Sequence, residues 1–482
     1  MTLEDFFKQI GYDIGNLKKG QEAIKNYMNW YNGYIEEFHK YYVYNGEQKV
    51  YRNRYSLNIA KMICENFADL IMNEKVTITL DNDESNRVIN DILTKNKFNI
   101  RANQAIEKVF ALGTCCILVS PDEDLGINIQ FITANNIYPL SFGSKGIYEC
   151  AFVSEEVVRI GLDEKPSLIK NVQIHRRDED GEYIINNFRF KSDGCGRLER
   201  IDLDDLPFEI RTGSRKRWFI PISTAIVNNI DMDSPFGLPI YANSIDTIKA
   251  LDLTYDSFTN EIQNGRKRLF VTQDALKVDA NGFRNAFDPQ DVVFYLLDGS
   301  FEGKNTNNYV QEVNGTLRIE ELRTAIQTHL DILCMKLGFG RNYYRMGEVL
   351  VGKTATEVVS ENSDLFRTIN KHENPLEIAL IEMVELIIYI GKYFGIFNIP
   401  KPSKITIDFD DSIIESNATK REQDRLDVQM GAMSLEEYRM KWYSEDEQTA
   451  KNKISNIVNN QPEPEREAQS NPNQSHTSPN VV

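Results

Sequence analysis

The sequence is short of the residues that mark secreted and metal-binding proteins. Its 482 residues include only six cysteines and five histidines. Cysteines spread so thinly predict no disulfide framework, and Cys115 and Cys116, adjacent on a predicted strand, are interpreted as packing residues. The histidines include no pair at i,i+4 spacing, so we expect no metal site and no bound cofactor. A reducing compartment such as the bacterial cytoplasm fits this composition.

Basic charge and long apolar runs are also scarce. The chain carries 55 Lys and Arg against 72 Asp and Glu, a net charge of −17. Proteins that grip DNA through its phosphates are basic, so this one either has no nucleic-acid partner or has one that must not be held tightly. The most apolar stretch, residues 379–397, contains Glu382, Glu385 and Lys392, which predicts a buried helix and not a membrane span. The mixed charge of residues 1–8 is not typical of a secretory signal.

One string matches a catalytic motif. Residues 347–354 read G-x-x-x-x-G-K-T, the phosphate-binding loop of P-loop NTPases. That loop needs a buried strand before it and a helix after it. A helix is predicted after Thr354, but residues 340–346 contain two arginines and no run of Val or Ile. We therefore interpret the string as the junction of a flexible loop and a helix and expect no enzyme activity. A P-loop NTPase using Gly347–Thr354 is the alternative.

The first half of the chain is predicted as an α+β unit. We expect residues 1–75 to be helical, and residues 114–222 to form an antiparallel sheet. Between them, a strand and two helices are predicted at residues 76–80, 84–95 and 100–112, with Gly113 as a helix stop. The cluster Arg215–Arg217 is interpreted as a solvated loop, with a nucleic-acid surface as the alternative.

The second half is predicted to be mainly helical. Apolar residues from Tyr241 to Ile262 recur every three or four positions, which predicts a helix of about 25 residues. After this helix we expect strands at 269–272 and 292–297 and a helix at 322–337. A further helix is expected from Thr354 to Tyr393, and it should kink or restart at Pro375. A strand at 405–409, helices at 420–430 and 435–443, the latter with a capping box at Ser434, and a disordered tail from Asn459 complete the prediction.

Two long helices flanking a β insert would form a stalk with a head. A lone helical pair buries little apolar surface against itself. The apolar faces of the two helices therefore either contact neighbouring subunits or pack onto their own domain, and both interpretations remain open.

Several segments of this half resemble the portal proteins of tailed bacteriophages, of the siphovirus type that infects low-GC Gram-positive hosts. The segments are Ser234–Gly237, Tyr241–Asp246, Lys249–Leu253, Tyr255–Ser257, Asn264–Arg268, Lys353–Val358, Ser360–Asn362, Phe366–Ile369 and His372. The same order of elements extends over roughly residues 1–455.

The resemblance implies an α+β, portal-like ring subunit with an α/β wing, a long helical stem, a small β-rich clip and a helical crown. The implied parts are a wing at 1–236, a stem helix at 237–265, a clip at 266–314, a second stem helix at 315–337, a channel loop at 338–352, a kinked helix and wing strand at 353–415, a crown at 416–457 and a disordered tail at 458–482.

The family further implies a head–tail connector: a ring, usually a homododecamer, at one capsid vertex of the virion, assembled in the host cytoplasm. Double-stranded DNA would pass through it during packaging and ejection without tight binding. The implied protein partners are terminase, the major capsid or scaffolding protein, and a head-completion or adaptor protein; no membrane is expected. Twelve copies would carry about −200 (12 × −17), which favours sliding of DNA over binding.

Two basic clusters are the implied contact residues of such a ring. Arg341, Arg345 and Lys353 are candidates for facing DNA from the channel loop, with solvation or ion pairing between subunits as the alternative. The cluster Arg266, Lys267 and Arg268 is the candidate terminase-facing surface of the clip.

Overall fold

In the computed structural model the chain divides into two units, Met1–Asp410 and Asp411–Val482. The structure describes residues 1–46, 48–72, 76–122, 124, 126–144, 146–158, 167–193, 196–203, 207–265, 268–272, 294–297, 310–313, 315–340, 343–347, 355–409, 417–443 and 445–459.

Helices predominate at the start of the larger unit. In chain order its elements are α1 (Leu3–Gln9), α2 (Lys18–Tyr31), α3 (Glu36–His39), β1 (Lys40–Asn45), β2 (Gln48–Asn53), α4 (Ile59–Ile71), β3 (Thr77–Leu80), α5 (Asp83–Lys95) and α6 (Phe98–Leu112). The predicted strand, the two helices after it and the stop at Gly113 are confirmed. Gly113 has φ +86°, and a Cβ there would overlap the backbone of Gly237, so the sharp exit from α6 requires glycine.

The predicted antiparallel sheet is present and is split in two. Its strands are β4 (Thr114–Asp122), β5 (Gly126–Thr133), β6 (Ile137–Gly143), β7 (Gly146–Val158), β8 (Ser167–Arg177), β9 (Tyr183–Ser192), β10 (Leu198–Ile201), β11 (Glu209–Arg211) and β12 (Phe219–Ser223). One sheet has the order β10-β9-β8-β7-β6 with β11 also on β9, and the other has the order β12-β4-β5. Strands β6, β10, β11 and β12 were not predicted individually.

Helix α1 covers one face of the larger sheet. A capping box starts it: the Asp5 amide donates to Thr2 Oγ1 (3.2 Å) and the Thr2 amide donates to Asp5 (2.9 Å). The Phe6 ring then lies 4.8 Å and 4.9 Å from the rings of Phe188 and Phe190 on β9. This aromatic layer fixes the helix on the sheet.

The described residues of the rest of the larger unit form three long helices and four short strands. They are α7 (Ile245–Asn264), β13 (Arg268–Thr272), β14 (Phe294–Leu297), β15 (Val310–Val313), α8 (Ile319–Leu337), α9 (Ala355–Tyr393) and β16 (Ile405–Asp408). Strand β16 pairs with β3 antiparallel, so residues 405–408 return to a strand at residues 77–80. The predicted long helix is shorter than expected: α7 has 20 residues and is preceded by a 3-10 turn at Ala242–Ser244.

Two expectations are wrong. Residues 1–75 are not all helical, because β1 and β2 pair as an antiparallel hairpin. Helix α9, which has 39 residues in total, continues through Pro375 without the predicted interruption, and a kink at this position stays a prediction. Buried Ile369, Leu376 and Leu380 flank the proline, and their packing offsets the roughly 3 kcal/mol cost of a missing helix donor.

The smaller unit is a set of three helices, α10 (Asn417–Met430), α11 (Leu435–Tyr443) and α12 (Glu447–Asn459). The predicted capping box is confirmed, since the Glu437 amide donates to Ser434 Oγ (3.1 Å) and the Ser434 amide donates to Glu437 (2.9 Å). The Trp442 indole donates to Asp424 at 2.7 Å and joins α11 to α10. Helix α12 was not predicted, and the tail after Asn459 lies outside the described residues.

Candidate channel and assembly surfaces

Helices α7 and α8 form an antiparallel pair that is fastened at both ends. At one end Arg318 donates to the two carboxylate oxygens of Glu261 at 3.1 Å and 2.9 Å. At the other end Lys336 Nζ donates to Thr247 Oγ1 at 3.0 Å. The first contact lowers the pKa of Glu261, because the carboxylate accepts hydrogen bonds from a guanidinium. The β insert leaves the pair at the Glu261 end.

Only half of this pair is packed against its own unit. The buried residues of α7 end at Asp256, and those of α8 begin at Ile326. Beyond them the pair extends with exposed apolar side chains. These are Ile262 and Leu317, whereas exposed Leu253, Ile332 and Met335 lie within the packed half. The packed half agrees with the interpretation of a pair that packs onto its own domain, and contact of the rest with neighbouring subunits stays a prediction.

The β insert begins with a tight approach between the two helices. A Cβ on Gly265 would overlap Leu317 Cδ2 and would lie 2.8 Å from the Glu261 carbonyl oxygen. Glycine at this position thus lets the chain leave α7 directly beside the start of α8.

The described strands of the insert form one small sheet. Strand β13 is central; it pairs with β14 in parallel and with β15 in antiparallel register. Arg268 is the first residue of β13 and pairs with Val313. The other two members of the predicted terminase-facing cluster, Arg266 and Lys267, lie outside the described residues.

The segment after α8 packs against helix α4. Gly338 ends α8 with φ +76°. The Phe339 ring then lies 4.1 Å from the Phe67 ring and 4.3 Å from the Tyr343 ring. The hydroxyl of Tyr344 accepts a hydrogen bond from Asn66 Nδ2 at 2.8 Å. These three contacts, to α4 and within the segment, hold it in a defined path.

One side chain of α8 fixes the end of this segment. Gln327 Nε2 donates to the Tyr344 carbonyl at 3.0 Å, and Gln327 Oε1 accepts from the Met346 amide at 2.7 Å. Arg345 lies between these two anchors and is exposed. The other candidate DNA-facing residues, Arg341 and Lys353, lie outside the described residues.

The described start of the G-x-x-x-x-G-K-T string lacks the context of a phosphate loop. Residues 343–347 form no strand, as predicted. Gly347 lies next to the Arg323 side chain, and Arg323 Nη2 donates to the Met346 carbonyl at 3.3 Å. Residues 348–354 are outside the described part. A P-loop requires a strand that delivers the loop, so this segment does not support the NTPase alternative.

The Arg215–Arg217 cluster lies on the wall of a cavity of about 740 Å³ between the larger sheet and α9. Lys216 Nζ lies 2.8 Å from Glu385, and Arg217 Nη2 lies 3.5 Å from Glu382. Arg217 also donates to the Ile147 carbonyl at 2.9 Å. Arg215 and Lys216 are exposed, as expected for the predicted solvated loop, and the two ion pairs join this loop to α9.

Two buried histidines are held in the neutral state. Burial lowers the pKa of His175 to about 3 and that of His372 to about 4. His372 Nδ1 accepts a hydrogen bond from the Ala225 amide at 3.2 Å, which a protonated ring could not do. In the described part of the chain, no three His, Cys, Asp or Glu side chains are grouped so that they could hold a metal ion.

Cys115 and Cys116 are buried free thiols, as predicted, and burial raises the pKa of both. Within the described ranges, the helices are too short or too polar to cross a membrane.

The mixed helix and sheet content of the described residues is compatible with the portal fold that the resemblance implies. The family model "Phage portal protein, SPP1 Gp6-like" matches residues 14–457, which is most of the chain. The chain belongs to this family of phage portal proteins.

Other comparisons add little. No curated protein matches the chain. It is similar to a chain in a solved structure described as "Neck of empty GTA particle computed with C6 symmetry", with 12% identity over 79% of this chain and 87% of that chain and a TM-score of 0.35. That likeness is too distant to support an inference about function.

The sequence pattern alone does not indicate the role of several residues of these surfaces. Gln327 and Asn66 hold the loop from two different helices, and their role depends on contacts across 19 and 278 positions of the chain. The aromatic run Phe339, Tyr343 and Tyr344 after the end of α8 is the one local sign that this loop is packed.

Proposed function

We propose that this chain is the subunit of a portal ring, with about twelve copies at one vertex of a phage capsid. The family match over residues 14–457 is the observation that carries the proposal. The exposed apolar side chains along the α7–α8 pair support it, because such side chains are typical of contacts between subunits. The ring would be part of the virion and would be assembled in the cytoplasm of the host.

The ring would conduct double-stranded DNA during packaging and ejection. The net charge of −17 on each subunit supports this role, because a wall of like charge lets the duplex slide. Exposed Arg345 is a candidate for a weak contact with DNA, together with Arg341 and Lys353. The role of these side chains follows from the family resemblance and from the position of Arg345 between two anchored residues.

The small sheet of β13, β14 and β15 would be the surface that meets the terminase and later a head-completion protein. Arg268 opens strand β13, and Arg266 and Lys267, which come directly before it in the sequence, are the other candidates for this contact. Contacts with the major capsid or scaffolding protein would come from the remaining outer surface of the subunit.

The chain itself would hydrolyse no nucleotide, and the energy for packaging would come from a partner motor. Lys353→Met removes the lysine that a P-loop needs for the outer phosphates. We expect this variant to form rings and to package DNA as the wild type does. We also expect the purified wild type to hydrolyse neither Mg-ATP nor Mg-GTP. Hydrolysis that disappears in Lys353→Met would favour the NTPase alternative.

Electron microscopy of the purified full-length protein tests the central proposal. We expect rings with a central channel wide enough for a B-DNA duplex. A protein that remains a monomer at high concentration, both alone and with the phage capsid protein, would contradict the proposal.

A further inference from the structure

An isolated β-hairpin projects from the start of the chain. We call residues 40–53, which comprise β1 and β2, the tyrosine hairpin. Its strands pair only with each other among the described residues, and all six residues of β2 are exposed. A two-stranded hairpin has little stability by itself in water, and both of its edges present unpaired backbone groups. The tyrosine hairpin thus has the properties of a surface that a partner completes.

One face of the hairpin is an exposed aromatic cluster. Tyr42, Tyr44 and Tyr51 are 50%, 69% and 62% exposed. The Tyr42 ring lies 5.7 Å from the Tyr44 ring and 6.4 Å from the Tyr51 ring, both edge to face. Lys49 Nζ lies 3.7 Å from the centre of the Tyr42 ring. These contacts order the tyrosines before any partner arrives, which lowers the entropy cost of binding.

The base of the hairpin is fixed to helix α7 by two buried carboxylates. Asp252 accepts hydrogen bonds from the Leu57 amide (2.8 Å) and from Ser56 Oγ (3.1 Å), and its Oδ2 lies 3.3 Å from His39 Nε2. Asp256 accepts from the Tyr55 amide at 3.2 Å. The hairpin is therefore held out from the helical pair by a rigid base, and it is not a loose terminal segment.

The charge of the hairpin is opposite to that of the rest of the chain. The tyrosine hairpin and the arginine that follows it, residues 40–54, contain four Lys or Arg and one Glu, which is a charge of +3. The remainder of the −17 chain therefore carries −20. Two such hairpins would repel each other across a twofold axis. A hairpin would instead be attracted to a different, acidic surface of another copy, and such a head-to-tail contact repeats around a closed ring.

We propose that the tyrosine face of the hairpin docks on an acidic surface of a second copy of this chain. Tyr42, Tyr44 and Tyr51 would be the apolar anchors of that contact, and Lys40 and Lys49, which lie on the same face, would supply its charge complementarity. The inference rests on the proposed ring, because it assigns the hairpin to the contact between neighbouring subunits. DNA is a poorer occupant, since 467 of the 482 residues carry a net −20 that repels phosphate.

Photo-cross-linking identifies the occupant. Full-length protein with p-benzoylphenylalanine in place of Tyr44 is irradiated as purified rings and in assembling particles, and the products are identified by mass spectrometry. We expect cross-links from position 44 to an acid-rich peptide of a second copy. Cross-links to DNA or to another protein, cross-links only within one subunit, or intact rings without cross-links overturn the docking proposal. Intact rings without the expected cross-links would contradict the docking proposal and would leave the proposed portal function in place. A protein that stays monomeric would contradict the docking proposal and the portal function together.

Sedimentation velocity of paired variants gives an independent measurement. Tyr44→Ser/Tyr51→Ser should weaken association between copies by about tenfold or more, as expected for loss of aromatic anchors. Tyr44→Phe/Tyr51→Phe keeps the aromatic side chains, so this variant should associate as strongly as the wild type. Met232→Ser, at a residue 85% exposed elsewhere in the same unit, is the matched control. Unchanged association of the serine variant, with wild-type circular dichroism, would contradict the proposal.

Discussion

Gly265 passes so close to Leu317 that there is no room for a Cβ between helices α7 and α8. A methyl group on Gly265 would overlap Leu317 Cδ2 and would lie 2.8 Å from the Glu261 carbonyl oxygen. The paired side chains Glu261 and Arg318 close the same end of the helical pair. The position of the β insert relative to the two helices thus depends on a glycine.

Gly265→Ala should therefore destabilise this end of the pair. We expect a loss of about 1–3 kcal/mol in the free energy of unfolding, as for other overpacking substitutions. Leu317→Ala in the same chain should recover part of the loss, because the leucine is 42% exposed and its removal opens space. Denaturant unfolding measures both values. Gly315→Ala is the control, since a Cβ there would meet nothing within 4 Å; equal losses at the two glycines would contradict the packing argument.

Gln327→Ala should loosen the loop after α8. The substitution removes the hydrogen bonds to the Tyr344 carbonyl and from the Met346 amide, each worth about 1 kcal/mol. Hydrogen exchange of the amides of residues 343–347 should become faster, while exchange in the middle of α8 should change little. Thr328→Ala, at the next and exposed position of the same helix, is the matched control. Equal exchange in wild type and Gln327→Ala would show that the aromatic contacts alone hold the loop.

The elements that were predicted well are those whose apolar residues follow the helical repeat and are buried on one side. Helix α4 is an example, because Ile63, Phe67 and Ala68 are all buried and the spacing shows it. The β1–β2 hairpin was missed although Asn45-Gly46 is a strong turn signal. Both faces of its second strand are exposed, so burial leaves no alternating pattern in that strand.

The position of the candidate site could be predicted only in outline. The loop after α8 was expected from its glycines and from the family resemblance, but its path depends on Asn66 and Gln327, which contact it from other helices. Pro375 shows the opposite failure. A local rule predicted a break, and the buried contacts on both sides of the proline keep the helix continuous.

Acid should destabilise the larger unit through its neutral histidines. The pKa of His372 is lowered from 6.5 to about 4, so below pH 6.5 the unfolded chain binds a proton that the folded chain does not. Stability is fully present above pH 6.5 and is lost as the pH falls towards 4. Uptake of this proton by the unfolded chain alone corresponds to about 3 kcal/mol at the acid end of this range.

His372→Asn separates this effect from general acid denaturation. The asparagine carbonyl can accept the hydrogen bond from the Ala225 amide that His372 Nδ1 now accepts, but it has no proton to bind in this range. The variant should be less stable at pH 7.5 because the smaller side chain leaves a cavity, and its stability should fall less steeply between pH 6.5 and 4. Unfolding curves in urea at several pH values measure the slope. Parallel pH profiles for the variant and the wild type would contradict the assignment.

Replacing Arg341, Arg345 and Lys353 with alanine tests the proposed channel contacts. Loss of three positive charges from each of about twelve subunits should weaken the periodic attraction between the loop and DNA phosphates. We expect altered DNA retention or packaging while ring assembly is unchanged, measured as virion yield and as DNA content per particle. Arg367→Ala removes an exposed arginine of α9 that pairs with Asp364, and it serves as the control outside the loop. Unchanged yield and DNA content in the triple variant would mean that these side chains are solvated or paired between subunits and do not guide the duplex.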